Sequence, residues 1–248
     1  SLHAQQNVTE PDTLYGDNIL LDEVVVNAPQ KTIQSRGLGN MRINSRMLQV
    51  SPLFFGERDV IKTLQFLPGV SGGMEGSSQL NIRGGTNDQT LYLMDGVPVY
   101  NQNHTFGLFS IFNADAVSTV DLYKGGIPAS YGGRLSGVVS VELKDGDAQK
   151  YHHSVSLGLL AGTLSSEGPI VEDKLSYLFV ARRSFLDLLY EGAMLAMGQG
   201  DGGMAMIKFY DVNGKLTWRL NPKNRISWQL FSGYDDLYRS EERRVGKE

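Results

Sequence analysis

From residue 208 onward the chain alternates. Tyr210, Val212, Gly214, Leu216, Trp218 and Leu220 fall on one face, and Asp211, Asn213, Lys215, Thr217 and Arg219 on the other. A period of two residues predicts a strand. Asn221-Pro222-Lys223-Asn224 breaks the run as a turn, and Ile226, Trp228, Leu230 and Tyr234 then share one face of a second strand. Segments of about ten alternating residues joined by short turns are the pattern of a transmembrane β-barrel. Two strands of a soluble sandwich would read similarly. The strand length and the Tyr and Trp positions near strand ends favour the barrel. Upstream the alternation is less regular: His153 to Ala161, a hairpin tip near Gly162-Thr163, Leu164 to Ile170, a turn at Val171-Glu172-Asp173, and Leu175 to Arg183. Five such strands by Tyr234 cannot close a barrel and would leave a long apolar edge, so the barrel reads as incomplete. Between them, Phe185, Leu188, Leu189 and Ala193 have helical spacing, followed by a glycine- and methionine-rich loop up to Ile207.

The first 150 residues have another pattern. Leu80 to Tyr100 reads as strand, glycine break, strand, turn and strand. Leu91 and Leu93 take one face, Tyr92 and Met94 the other. Asp95-Gly96 is the turn, because both residues tolerate positive φ. Val60, Ile61, Leu64 and Leu67 form one apolar face of a helix between Gly56 and Leu67, with Glu57 and Asp59 in its first turn and Pro68-Gly69 ending it. Asn113 is placed to cap a short helix over Ala114 to Val117. Val120 to Lys124 and Val138 to Leu143 read as strands, and Lys31 to Val50 has little pattern. Asp22 to Asn27 is a β-branched run on a polar leash. It reads either as an edge strand or as a strand donated to a partner's sheet. Ser1 to Ala4 fits the end of a signal peptide or a disordered terminus equally. Glu241 to Glu248 is a charge run, either a solvated loop or sequence foreign to the gene.

Composition narrows the classes. A net charge of −4 gives no basic footprint for nucleic acid. With no cysteine there is neither a disulfide nor a thiolate metal site. No apolar run reaches the ~18 residues of a membrane-spanning helix. The glycine-rich stretch from Gly69 to Ser78 lacks the Lys-Ser/Thr of a P-loop and the strand before it, so it reads as a loop packed against backbone. His152 and His153 are adjacent and point to opposite faces of a strand, which prevents them from sharing a metal. No catalytic motif is visible, and no cofactor is expected.

Several of these segments together resemble the TonB-dependent outer-membrane receptors of Gram-negative bacteria. Asp22, Glu23, Val24, Val25, Val26 and Asn27 resemble the TonB box. VIKTLQFLPGV from Val60 resembles the first helix of the plug domain and the turn after it. NIRGG from Asn81 resembles the family's I-R-G motif, and LMDGVP from Leu93 its D-G-V-P hairpin. YKGGIPASYGGRLSGVV, ending at Val139, is similar to the end of the plug. Gly125, Tyr131, Gly132 and Gly137 match there, and Val138 replaces the second glycine of a usual pair. Glu167-Gly168-Pro169-Ile170 and Asn221-Pro222 resemble periplasmic turn regions.

The resemblance implies an α+β plug domain followed by antiparallel strands of an incomplete transmembrane β-barrel. The implied order is a segment 1–30 carrying the TonB box, a plug over 31–147, first barrel strands over 148–240 and a tail at 241–248. It further implies an outer-membrane location with the N-terminal segment in the periplasm, and energy-coupled uptake of a scarce nutrient such as an iron chelate, cobalamin or glycan. The implied partners are the TonB C-terminal domain, which adds the box as a strand, outer-membrane lipid, the nutrient itself and a surface lipoprotein. The Gly162 tip and the connection from Ser184 to Ile207 are then extracellular. Glu75, Ser77, Ser78, Gln79, Asn101, Asn103 and His104 are the expected ligand-facing residues of the plug loops. Arg83, Arg134 and Glu142 are the expected ion-pair contacts between plug and barrel. An enzyme is disfavoured by the missing motifs. A plug-like binding or signalling module without transport is disfavoured by the strands after Lys208, and a passive barrel by the TonB-box-like run.

Overall fold

The computed structural model describes residues 33–35, 39–74, 76–196 and 205–239. In chain order the first part comprises β1 (Ile33–Ser35), β2 (Asn40–Asn44), α1 (Ser45–Val50), α2 (Val60–Gln65), β3 (Val70–Ser71), β4 (Asn81–Ile82), β5 (Thr90–Met94), β6 (Val97–Val99), β7 (Asn103–His104), β8 (Phe109–Ser110), β9 (Val117–Tyr123) and β10 (Gly137–Leu143). The second comprises β11 (His152–Leu157), β12 (Ala161–Val171), β13 (Leu175–Ser184), α3 (Leu186–Ala196), β14 (Ala205–Asn221) and β15 (Asn224–Arg239).

The first part is built on a six-stranded mixed sheet in the order β1-β2-β9-β10-β5-β6. The β10–β5 pair is parallel and the others antiparallel. Two strands with apolar residues on both faces, VVSVEL and TLYLM, lie side by side at the centre, where both faces are covered. Helix α2 is short, but Val60, Ile61 and Leu64 are fully buried, and Leu67 nearly so, in one core with Ile43, Leu80, Ile82, Phe112, Val120, Leu122, Val139 and Val141. Asp59 is the N-cap of α2 and accepts a hydrogen bond from the Lys62 amide at 3.0 Å. Arg42 and Asp121, directly opposed on β2 and β9, form a two-pronged ion pair across the sheet.

Two local expectations fail. Asn113 caps no helix: its Oδ1 accepts from the Asp115 amide, its backbone bridges Asp59, and the chain passes through a turn into β9. Within the weakly patterned span from Lys31 to Val50, Asn40 to Val50 form β2 and α1, each too short for its pattern to stand out in the sequence.

The second part is a five-stranded antiparallel sheet, β11-β12-β13-β14-β15 in sequence order. Its first turn lies at Gly158–Leu160, before the expected tip, and Gly162 is inside β12. The reason is packing: a Cβ on Gly162 would come within 2.8 Å of the Phe185 ring, so the glycine marks a close contact rather than a turn. The turns at Glu172–Lys174 and Pro222–Lys223 lie at one end of the sheet, the turn end. The 158–160 turn and the connection that starts with α3 lie at the other, the loop end.

The burial of the sheet is the reverse of a soluble protein's. The polar face packs against the mixed domain, with Asp211, Asn213, Lys215 and Thr217 buried. The apolar face is bare: Leu216, Trp218, Leu220, Ile226, Trp228, Leu230 and the stacked pair Tyr210–Tyr234 are all at least 40% exposed. An apolar face of this extent is not left to water. No described helix is long and apolar enough to cross a membrane.

Candidate functional site

The mixed domain is fixed to the polar face at two places, and a cavity opens beside the first. At the loop end, Arg182 of β13 and Asp211 of β14 are opposed in register and meet at 2.6 Å, with 1% and 0% of their side chains exposed. Burying a charge pair is tolerable only when the remaining donors are also used. Here the Arg182 Nη2 donates to the Ser110 carbonyl at 2.6 Å, and the guanidinium lies over the Phe209 ring. This ties β8 to the wall.

His104 enters the same group from β7. Its ring stacks on Phe209 with centroids 4.7 Å apart. Its Nε2 is 3.3 Å from Asp211, and its Nδ1 is 3.1 Å from the Asp235 carboxylate of β15. A carboxylate only accepts, so Nδ1 is the donor. Glu57 lies buried in the neighbourhood, with one oxygen lacking a hydrogen-bond partner. Burial pushes its carboxyl up to about 7, with Arg182 opposing the shift and Asp115 and Asp211 adding to it.

After His104 the backbone is strained. Thr105 and Phe106 have φ of 53° and 55°, followed by Gly107 at 96°. A non-glycine residue in this region costs on the order of 1–3 kcal/mol. The turn is held because Asp235 accepts from the Thr105 amide at 3.2 Å and the Gly107 carbonyl accepts from the Ser78 amide at 2.6 Å. Ser78 is fully buried, and its hydroxyl donates to Asp59 at 2.8 Å. The strain presents Phe106 to solvent at the rim of a cavity of 610 Å³. Gln79, Asn101, Asn103, Asp235 and Asp236 line its walls.

At the turn end, Lys215 of β14 reaches into the mixed domain. Its Nζ lies 2.9 Å from Asp95 and 3.0 Å from Asp145, and it donates to the Leu143 carbonyl at 3.1 Å. Asp95 is held in the left-handed region, φ 47°, by the tight turn that the Asp-Gly pair predicts, and its other oxygen accepts from the Leu143 amide. A second cavity, of 920 Å³, surrounds this cluster. Among the described residues, no group of His, Asp and Glu is arranged to hold a metal.

Of the residues singled out by sequence, Gln79, Asn101 and Asn103 line the loop-end cavity. Ser77 and Ser78 are buried beneath it, and His104 is turned inward as a contact to the wall. Glu75 and the segment from Asp22 to Asn27 lie outside the described residues. Arg83, Arg134 and Glu142 pair with no residue of the five-stranded sheet among the described residues. Arg83 folds its guanidinium against Gly39 and Gly125, Arg134 is exposed, and Glu142 accepts from the Thr119 hydroxyl within the mixed domain while lining the second cavity. The contacts between the mixed domain and the five-stranded sheet are instead made by His104, Lys144, Asp95 and Asp145, facing Asp211, Asp235, Glu167, Lys215 and Arg225. Pairs such as His104 and Asp235 are far apart in sequence, and no local pattern signals them.

Residues 54–139, which hold α2, the Asp-Gly hairpin and the central strands, match the TonB-dependent Receptor Plug Domain family. In that stretch the mixed domain is similar to a receptor plug. The chain is 24% identical over 258 residues to the probable TonB-dependent siderophore receptor PirA of Acinetobacter baumannii, covering 92% of this chain and 33% of that one. It is 29% identical over 146 residues to the ferrienterobactin receptor of Escherichia coli K12, covering 52% of this chain and 19% of the relative. The chain thus spans a third or less of the length of these relatives. The crystal structure of PirA superposes with a TM-score of 0.56 at 21% identity, covering 81% of this chain and 32% of that one. The copper transporter OprC gives 0.56 at 12% identity, covering 84% and 32%. The mixed domain and the five-stranded sheet beside it thus share the fold of these structures, with the sheet left unclosed.

Proposed function

We propose that this chain is the plug and first barrel wall of a TonB-dependent receptor that takes up a ferric siderophore across the outer membrane. The observation that carries the reading is the inverted sheet: a bare apolar face on one side, and on the other a polar face bonded to a plug domain. That arrangement suits a wall with lipid outside and a gated lumen inside. Longer connections lie outside the cell in such barrels and short turns in the periplasm. The loop end, with its cavity, then faces the medium and the Lys215 cluster faces the periplasm. The siderophore is suggested by the names of PirA and the ferrienterobactin receptor. Asp22 to Asn27 serves as the TonB-binding strand, and the receptor moves its cargo without altering it.

The test is uptake of radioactive iron in a bacterial strain lacking its own siderophore receptors. The full-length receptor is supplied in trans, with TonB present or deleted. Accumulation of a ferric chelate that requires both the receptor and TonB supports the reading. Binding without TonB-dependent accumulation would leave a non-transporting binding or signalling module as the better account.

A further inference from the structure

We propose that a cavity between the two short turns at the turn end binds the headgroup of an anionic phospholipid, whose acyl chains lie along the bare apolar face beside it. The inference rests on the uptake reading, which puts this end at the periplasmic leaflet of the outer membrane. The cavity has a volume of 600 Å³ and lies between the turns at Glu172–Lys174 and Pro222–Lys223. Four cations line it, Lys174, Arg219, Lys223 and Arg225, against one carboxylate, Asp173. Asp173 already accepts from the side-chain amide of Gln149. Arg225 pairs with Asp145, which is outside the lining and also holds Lys215. Among the described residues, Lys174, Arg219 and Lys223 pair with no carboxylate. Arg219 and Arg225 stand directly opposite each other on β14 and β15, a position in which like charges repel. The Arg219 guanidinium finds only a neutral acceptor there, the Ser176 hydroxyl at 3.0 Å. The corner thus holds surplus positive charge, and guanidinium and ammonium groups together suit phosphate oxygens.

The place of the cavity on the sheet selects a lipid over a soluble anion. Leu220, 48% exposed, lines the cavity and is also the last apolar residue on the bare face of β14. Tyr210, stacked on Tyr234, is ten positions earlier on the same face. At about 3.4 Å per residue the two are about 34 Å apart along the strand. A strand tilt of about 40° makes that about 26 Å of height, against the ~25 Å apolar band of a transmembrane barrel. The band therefore ends where the cavity begins. Trp218, two positions before Leu220, stands at this edge as aromatic residues do at headgroup depth. A soluble phosphate would use the cations alone. Leu220 and Pro222 beside them offer the apolar surface that a glycerol backbone and acyl chains cover.

The site is built on main-chain bonds that do not depend on the side chains meeting the ligand. The Arg219 amide donates to the Lys174 carbonyl at 2.7 Å, which fixes one turn against β14. The Asn221 side-chain oxygen accepts from the Lys223 and Asn224 amides at 3.0 and 2.8 Å, which fixes the other. Lys174 and Lys223 are both exposed, so replacing them removes charge and leaves the turns in place. The charge balance also selects among lipids. A zwitterionic headgroup brings an ammonium into a corner already rich in cations, whereas a phosphatidylglycerol headgroup brings only the phosphate and hydroxyls.

The experiment is native mass spectrometry of the full-length receptor released from bilayers of phosphatidylglycerol and phosphatidylethanolamine with identical chains. The wild type should retain phosphatidylglycerol over phosphatidylethanolamine by about tenfold or more. Lys174→Gln with Lys223→Gln should lose about fivefold of that preference per lysine, about thirtyfold in affinity for the pair. Lys174→Arg with Lys223→Arg should keep it. Arg183→Gln with Lys208→Gln, at the loop end of the sheet, should also leave it unchanged. Retention of the folded barrel's fast migration on gels without heating shows that each variant is intact. Equal retention of the two lipids by the wild type, or an undiminished preference in the double glutamine variant, overturns the site. Displacement of the lipid by an equal concentration of glycerol 3-phosphate overturns it in favour of a soluble anion. Failure of the wild type to enter bilayers at all would remove the membrane-wall reading and this site with it, whereas insertion without lipid preference removes the site alone.

Discussion

Removing Arg182 should detach β8 from the wall. The Arg182→Met change keeps most of the apolar stem and deletes the guanidinium. Asp211 is then left at 0% exposure without its main partner, and the Ser110 carbonyl loses its side-chain donor. Truncating one member of a buried pair typically costs about 3–5 kcal/mol, most of it from the charge left behind. At about 1.4 kcal/mol per decade, opening of this contact should become roughly a hundred to several thousand times more frequent. The assay is native-state hydrogen exchange of Ser110 and its neighbours in the membrane-embedded full-length receptor. The companion variant Arg182→Met with Asp211→Leu removes both charges and should recover most of the loss, since an apolar pair of similar volume is often as stable as a buried ion pair. A single variant that speeds exchange less than tenfold would refute this reasoning, as would a double variant as damaged as the single one.

Burial and sequence set four other expectations. Leu230→Arg, at mid-strand on the bare face, should cost about 2–4 kcal/mol in urea titrations of receptor folded into phospholipid vesicles, the value for an arginine at the bilayer midplane. Gly146→Val should prevent the plug from seating, because even a Cβ at Gly146 would lie 2.2 Å from the Tyr177 carbonyl oxygen and the residue sits at φ 76°; proteolysis of the plug in folded receptor reads this. The Glu57 carboxyl, raised by burial to about 7 from an ordinary 4.5, binds its proton more tightly in the folded plug than in the unfolded chain. Plug stability should therefore be greatest at low pH within this window and fall as pH rises from about 4.5 through about 7, and Glu57→Gln should flatten the profile. Val25→Pro should abolish pull-down by the TonB C-terminal domain and block uptake while leaving ligand binding intact, because proline removes a ladder donor.

The parts legible in sequence are those whose signal is local. The alternation after Lys208 identified β14 and β15 and even their faces, because a strand with a bare apolar face and a polar face packed on another domain must alternate. The Val60–Leu67 face identified α2, and Asp95-Gly96 the turn between β5 and β6. The sequence did not single out β2, whose five residues NMRIN alternate over too short a run to stand out and are paired to β9, with Arg42 bonded to Asp121. Gly162 misled because glycine serves close packing as well as turns. Asn113 misled because its side chain satisfies a turn amide as readily as a helix end. The latches were hidden for a different reason. His104 meets Asp235 across 131 residues, and Lys215 meets Asp95 and Asp145 from another sheet, so only the fold brings them together.

The most direct measurement of the central claim is spin-label accessibility along β14 in the full-length receptor in liposomes. Labels at Leu216 and Trp218, on the bare face, should be reached by oxygen and shielded from a water-soluble nickel chelate. Labels at Asn213 and Thr217 should be poorly reached by both while the plug is seated. Strict alternation places lipid on one face of this sheet and the plug on the other. Equal exposure of Leu216 and Trp218 to the nickel chelate would show that the apolar face meets water or protein, and would contradict the account of the sheet as a membrane wall.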